Sequence, residues 1–258
     1  ALNLLHAREI LNDYEGALKA GERFFAREDR FGVMAILQGR GEFGSAAFCA
    51  STTDVELEWV VAEGDAHAVV RGTPSPKPSK VKYDDDALDA LAVAFALCKV
   101  LYLGGALARA RLLVKALEPA RRASSTPLHQ TSVRNEHAYY CCVAQVLCED
   151  RRDTGVYDAD VYVCGDSHSL APAWKVLNVK QKRLRLKPAL VTGLKHWHLR
   201  REGEFYPKRN FYYVCGVDTR SPLKKALGLF GDHVKTPTIP PNATVLFLLG
   251  EIDCREGI

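Results

Sequence analysis

Near residue 155 the apolar residues of this chain change period, and that change constrains the fold more than any other feature. Before it they recur every three or four positions over long stretches, which puts them on one stripe of a helix. After it they come in short unbroken runs that stop at glycine and acidic residues. "VYVC" runs into Gly165 and Asp166, and "ATVLFLL" runs into Gly250 and Glu251. Short apolar runs bounded by turn residues are the pattern of strands buried on both faces of a parallel sheet.

The first half predicts helices. Leu4, Leu5, Ala7, Ile10, Leu11, Tyr14, Ala17 and Leu18 keep helical spacing. The stretch "DALDALAVAFALCKVLYLGGALARARLLVKALEPARR" follows Asp84–Asp86, which can cap it and load negative charge at the helix start. Gly104 and Gly105 divide it into two helices, and Pro119 lies near the end of the second. "NEHAYYCCVAQVLCEDRR" is apolar nearly all round, which predicts a helix buried between neighbours. "DVELEWVVAEGDAHAVV" is read as helical. "RGTPSPKPSKVKYDDD", about residues 71–86, is Pro- and Ser-rich and is read as a loop.

The second half predicts alternation of strands and helices. "SLAPAWKVL" is read as a helix start with Ser169 as cap, and "RLRLKPALV" as a strand. "FYYVCGV" is rich in aromatic and β-branched residues, as strands are. "SPLKKALGLF" opens with Ser221 as N-cap and Pro222 in the first turn. The expected architecture is a helical, repeat-like domain over residues 1–150, then an α/β domain with a parallel sheet over 157–258. Ligands of such sheets sit at the carboxyl ends of the strands, so "GDSHS" and "GEIDCR" are expected to meet on that edge.

The bulk numbers fit this division. A chain of 258 residues suits one large domain or two ordinary ones. From residue 156 onward there are 16 Lys and Arg against 10 Asp and Glu, and the remaining 19 and 21 lie before it. This modest basic bias is compatible with anionic partners without demanding them. None of the eight cysteines forms a CxxC and several sit in apolar runs, which points to a reducing, cytoplasmic setting. No apolar run approaches the roughly 18 residues of a membrane span. The opening is a polar-interrupted helix pattern, not a signal peptide. The chain starts at Ala1 and its single methionine is Met34, so it is read as part of a longer protein.

Several features are assigned structural roles. Lys180, Lys182, Arg183, Arg185 and Lys187 are read as the solvated face of a helix end and an edge strand. They lack the interleaved aromatics or recognisable module of a nucleic-acid site, so no nucleic-acid partner is expected. His196 and His198 have no third ligand at suitable spacing, and neither a metal nor another cofactor is expected.

The candidate chemistry centres on Ser167. A serine at a strand end can present its backbone N–H to a developing oxyanion, helped by the dipole of a following helix, while an imidazole takes its hydroxyl proton. Gly165 permits the sharp turn. These residues resemble the SGNH or GDSL-type hydrolase superfamily, in which a first strand ends in Gly-Asp-Ser and the serine is the nucleophile. Gly165, Asp166 and Ser167 match that block. Gly250 and Asp253 in "GEID" match the ends of a later Gly-x-Asn-Asp block, 85 residues on from Gly165. The resemblance covers about residues 157–258 and implies a serine esterase with Ser167 and Asp166, an oxyanion glycine for which Gly193 is the candidate, and Gly250 and Asp253. His168, Glu251 and Arg255 are candidate supporting residues, with Glu251 and Asp253 also able to pair with Arg255 and hold the loop. Two departures stand out. Ile252 occupies the place of the oxyanion asparagine, and the chain contains no Asp-x-x-His.

The helical half resembles tetratricopeptide repeats. Gly105, Ala110 and Pro119 fall near the small and proline positions of that repeat, Leu107, Val114 and Leu117 near its packing positions, and Tyr14 and Ala17 echo it. A generic helical bundle fits the same residues. Two functions are expected from these readings. One is an esterase acting on a small ester or acetyl group, fused to a helical region that docks proteins. The other is a catalytically degenerate scaffold in a large assembly, such as a cytoskeletal or ciliary one, an expectation resting on analogy of architecture.

Overall fold

A computed structural model describes residues 1–38, 57–62, 65–72, 79–149, 156–191 and 239–248. The chain is a mixed α and β structure of two compact units, one of Ala1–Glu9 and Asp13–Thr154, the other of Ile10–Asn12 and Gly155–Ile258.

The first unit is built on helices α1 (Leu2–Ile10), α2 (Tyr14–Phe25), α3 (Val33–Leu37), α4 (Asp85–Leu103), α5 (Leu107–Ala123) and α6 (Arg134–Glu149). Asp13 caps α2 by accepting from the Gly16 N–H at 2.8 Å, and Asp84 caps α4 by accepting from the Ala87 N–H at 2.7 Å. α4 is the central element, packed by α2, α5 and α6 and buried continuously from Ala90 to Leu103. The helix expected to be apolar all round, α6, instead buries one face through Tyr140, Val143, Ala144 and Leu147. α4 holds that central place because its run of Ala, Leu, Val and Phe has no polar stripe, whereas α6 interrupts its own with Glu136, Gln145 and Arg134.

The segment read as helical between α3 and α4 is a hairpin. Strands β1 (Leu57–Ala62) and β2 (Asp65–Val70) pair antiparallel, with Trp59 opposite Ala68 and Val60 opposite His67. Trp59, Val60, Val69 and Val70 favour the pleated surface over a helix. The hairpin packs on α5 and α6, where the Arg121 guanidinium donates to the Ala66 carbonyl at 2.7 Å. The second half of the expected loop is tied down as well: Val81 bridges to Ser124, and the Tyr83 hydroxyl donates to the Ala120 carbonyl.

In the second unit the described residues form a four-stranded sheet in the order β4 (Val176–Val179), β5 (Lys182–Leu190), β3 (Ala159–Gly165), β6 (Thr244–Leu248). β5, β3 and β6 are mutually parallel, but β4 runs antiparallel to β5, so the sheet is mixed rather than parallel throughout. The segment expected to start a helix, residues 169–177, instead runs through turns and gives only Val176 and Leu177 to β4. Lys180 and Gln181, both with positive φ, make the two-residue turn into β5. The basic run is therefore a hairpin whose edge is β4, with β5 one strand in. Toward its carboxyl end β3 is buried on both faces, by Tyr162 and Cys164 on one and Val163 on the other. Ala189, Val191 and Ile239 close over the Tyr162 and Cys164 side.

The expected strand at 211–217 and helix at 221–230 lie outside the described residues. Among the described residues no helix is long and apolar enough to cross a membrane.

Candidate functional site at the end of strand β3

β3 ends at Gly165, whose register partners are Leu190 on β5 and Leu248 on β6. The ladder continues one step further, with the Val191 N–H donating to the Gly165 carbonyl at 2.8 Å. The central strand of a parallel trio thus delivers the next residues, Asp166, Ser167 and His168, to the carboxyl edge of the sheet. That edge is where open α/β sheets gather their ligand-binding groups.

The segment after β3 is not the helix expected there. Ser167–Leu170 form a single 3-10 turn, succeeded by further turns through Trp174 and then by β4. Ser169 does not cap a helix. Its hydroxyl donates back to the Asp166 carbonyl at 2.7 Å, and its N–H donates to the same oxygen at 3.0 Å. One short turn carries little macrodipole, so any oxyanion stabilisation here comes from individual N–H groups. Pro172 and the left-handed backbone at Trp174 (φ 64°) accompany the early return of the chain to the sheet. The Trp174 N–H donates to the Leu186 carbonyl at 2.6 Å.

Asp166 organises the turn. Its carboxylate is buried, and Oδ1 accepts from the His168 N–H at 2.9 Å while lying 2.9 Å from His168 Nδ1. This is an Asx turn closed a second time by the imidazole. A carboxylate oxygen accepts, so in the tautomer with its proton on Nδ1 the His168 imidazole donates to Oδ1. The second carboxylate oxygen, Oδ2, is buried and has no hydrogen-bond partner among the described residues. A buried orphan acceptor of this kind is costly until a donor reaches it. Ser167 is half-buried at the centre of the turn, and the His168 side chain is half-exposed.

Of the residues singled out from the sequence, the described structure brings Gly165, Asp166, Ser167 and His168 into one turn. Gly193, Gly250, Glu251, Asp253 and Arg255 lie outside the described residues, as do Ile252, His196 and His198. Sequence reasoning misses the Asp166–His168 pairing, although an aspartate two positions before a histidine is the spacing an Asx turn needs. It also misses the clamp on Arg185. That guanidinium grips Asp160 across the β3–β5 register with bonds of 2.7 and 3.0 Å and lies 3.9 Å from the Tyr157 ring centroid. Part of the basic run therefore braces the sheet.

The helical unit has a groove of about 280 Å³ lined in part by Arg8, Asp13, Lys19 and Arg23. Arg8 bonds Asp13 and Lys19 bonds Glu15, each at 2.6 Å. Among the described residues no cluster of three or more His, Cys, Asp or Glu side chains is arranged to hold a metal ion. No family model, no curated protein and no solved structure matches this chain.

Proposed function

We propose that the second unit is an SGNH/GDSL-like serine ester hydrolase domain with Ser167 as nucleophile, joined to a helical region that docks proteins. One observation carries this reading: β3 and β6 are adjacent and parallel, with Gly165 opposite Leu248. In the sequence, Ser167 comes two residues after Gly165 and Gly250 two residues after Leu248. The strands that lead into the two motifs resembling the superfamily therefore end side by side.

On this reading the Ser167 hydroxyl oxygen attacks the carbonyl carbon of a small acyl ester, and the bond to the alcohol oxygen breaks. The proton from Ser167 passes to the departing alcohol, and water then releases the acid from the acyl-enzyme. Asp166 holds the turn and His168. Gly193 and the loop of Gly250 and Asp253 are the proposed oxyanion and acidic elements, with Glu251 and Arg255 supporting them. The test is hydrolysis of a short-chain aryl acetate by the full chain. Ser167→Ala is expected to lower kcat/KM by at least about 10³-fold. Turnover that survives this substitution, or no turnover by the unaltered protein, overturns the reading.

Ile252 at the oxyanion asparagine position favours a second reading, a degenerate hydrolase-like module in a scaffold protein. Here residues 1–150 bind partners in a large, cytoplasmic assembly such as a cytoskeletal or ciliary one. An unaltered protein inert toward a panel of esters, yet cross-linked in cells to a defined set of proteins through α1–α6, is its expected signature. Robust Ser167-dependent hydrolysis counts against it.

A further inference from the structure

The first helix is held by a charge cluster assembled from three helices. His6 on α1 has Nδ1 3.3 Å from Glu9 Oε2, one turn along the same helix, and Nε2 3.2 Å from Glu136 Oε1 on α6. Ionised carboxylates accept hydrogen bonds and donate none. A neutral imidazole has one N–H and serves only one of these partners, whereas the imidazolium donates to both. Lys99 on α4 faces the same group, with Nζ 2.8 Å from Glu9 Oε1 and 4.0 Å from the Tyr139 ring centroid. Tyr14 on α2 is half-buried within reach of Glu9, and desolvation first, then the Glu9 charge, push its hydroxyl pKa up. Glu9 and Lys99 are buried, while the His6 side chain is 33% exposed, so solvent can exchange its proton.

We propose that His6 is a pH-operated latch: protonated, it ties α1 to α6 through Glu9 and Glu136, and deprotonated, it gives up one of those contacts and loosens the first helix. The latch is independent of the role proposed for Ser167. The directions of titration agree with the geometry. The hydrogen bond to Glu9 does most to raise the His6 pKa, burial and Lys99 oppose it, and the net shift is upward. For Glu9, burial pushes the carboxyl up, but the His6 and Lys99 interactions outweigh it and the net shift is downward.

A histidine whose pKa is higher folded than unfolded contributes stability that is complete below the unfolded pKa and lost as pH rises through the folded one. A carboxyl whose pKa is depressed by folding contributes stability that is complete above the unfolded pKa and lost as pH falls through the folded one. The latch is therefore closed between the acid range where Glu9 protonates and the raised pKa of His6. It opens as the solution becomes alkaline.

Amide exchange of the full chain, corrected for the intrinsic pH dependence of exchange, tests this. From about pH 6 to about pH 9, protection of residues 2–10 relative to α4 is expected to fall roughly threefold or more, the scale of a partly exposed ion pair. His6→Gln and Glu136→Gln are each expected to flatten that step. In the unaltered protein, which needs no variant to fold, the His6 imidazole is expected to titrate above the ordinary histidine pKa by NMR. A step that is absent in the unaltered protein, a step that persists in both variants, or a His6 that titrates at or below the ordinary value overturns the proposal.

Discussion

Gly165 ends β3 at a point where no side chain fits. A Cβ there would collide with the main-chain oxygen of Leu248 and press on the Leu248 side chain. The neighbouring strand can yield only by moving its backbone, so Gly165→Ala is expected to destabilise the second unit by about 1–3 kcal/mol, the usual cost of forcing atoms into a packed site. Urea unfolding, with amide exchange read in β3 and β6, checks it; a loss below about 0.5 kcal/mol, the scatter of ordinary surface substitutions, would show that the strands are not so close. The glycine is legible in the sequence as a turn residue, yet its need comes from β6, about 80 residues later in the chain. A turn preference is local and can be read from neighbours, whereas a close approach depends on register and cannot. The same holds for Asp166. Its place in a turn is readable, but its buried, half-satisfied carboxylate is not.

At the scale of the element, the β4–β5 hairpin shows how a propensity argument goes astray. "SLAPAWKVLNV" has helix formers and a serine cap, and nothing local forbids a helix. What decides is the partner: the register sets Val176 opposite Arg185 and Val179 opposite Lys182, and that pairing satisfies the backbone of an edge strand. The turn between them is chemically poor. Lys180 (φ 46°) and Gln181 (φ 66°) both sit in the left-handed region, which side-chain-bearing residues enter at a cost and Asn-Gly adopts readily. Replacing them together, Lys180→Asn with Gln181→Gly, is expected to stabilise the hairpin by about 1 kcal/mol. Denaturant unfolding of the paired variant reads this as a raised midpoint at unchanged slope. A lowered midpoint would mean that Lys180 or Gln181 makes contacts worth more than the strain of the turn.

Across the whole molecule, the division near residue 155 and the strand edges carrying "GDS" are legible because both come from hydrophobic period, a property of contiguous sequence. The pairings of charge inside the helical unit are not. Lys99 stands in an otherwise apolar helix, and its partner Glu9 lies 90 positions away on α1. Only the packing of α1 on α4 brings them to 2.8 Å, with both side chains less than 10% exposed. Such a pair offsets much of its own desolvation cost, and removing one member leaves the other charge buried. Lys99→Met is therefore expected to cost about 3 kcal/mol, with His6 retaining part of the hold on Glu9. Adding Glu9→Leu removes the stranded carboxylate, so the double variant is expected to be more stable than Lys99→Met alone. A double-mutant cycle in urea measures that coupling, and exchange on the same samples assigns the loss to residues 1–149. If Lys99→Met costs no more than a surface change and the two substitutions simply add, Lys99 and Glu9 do not hold the first helix to the core.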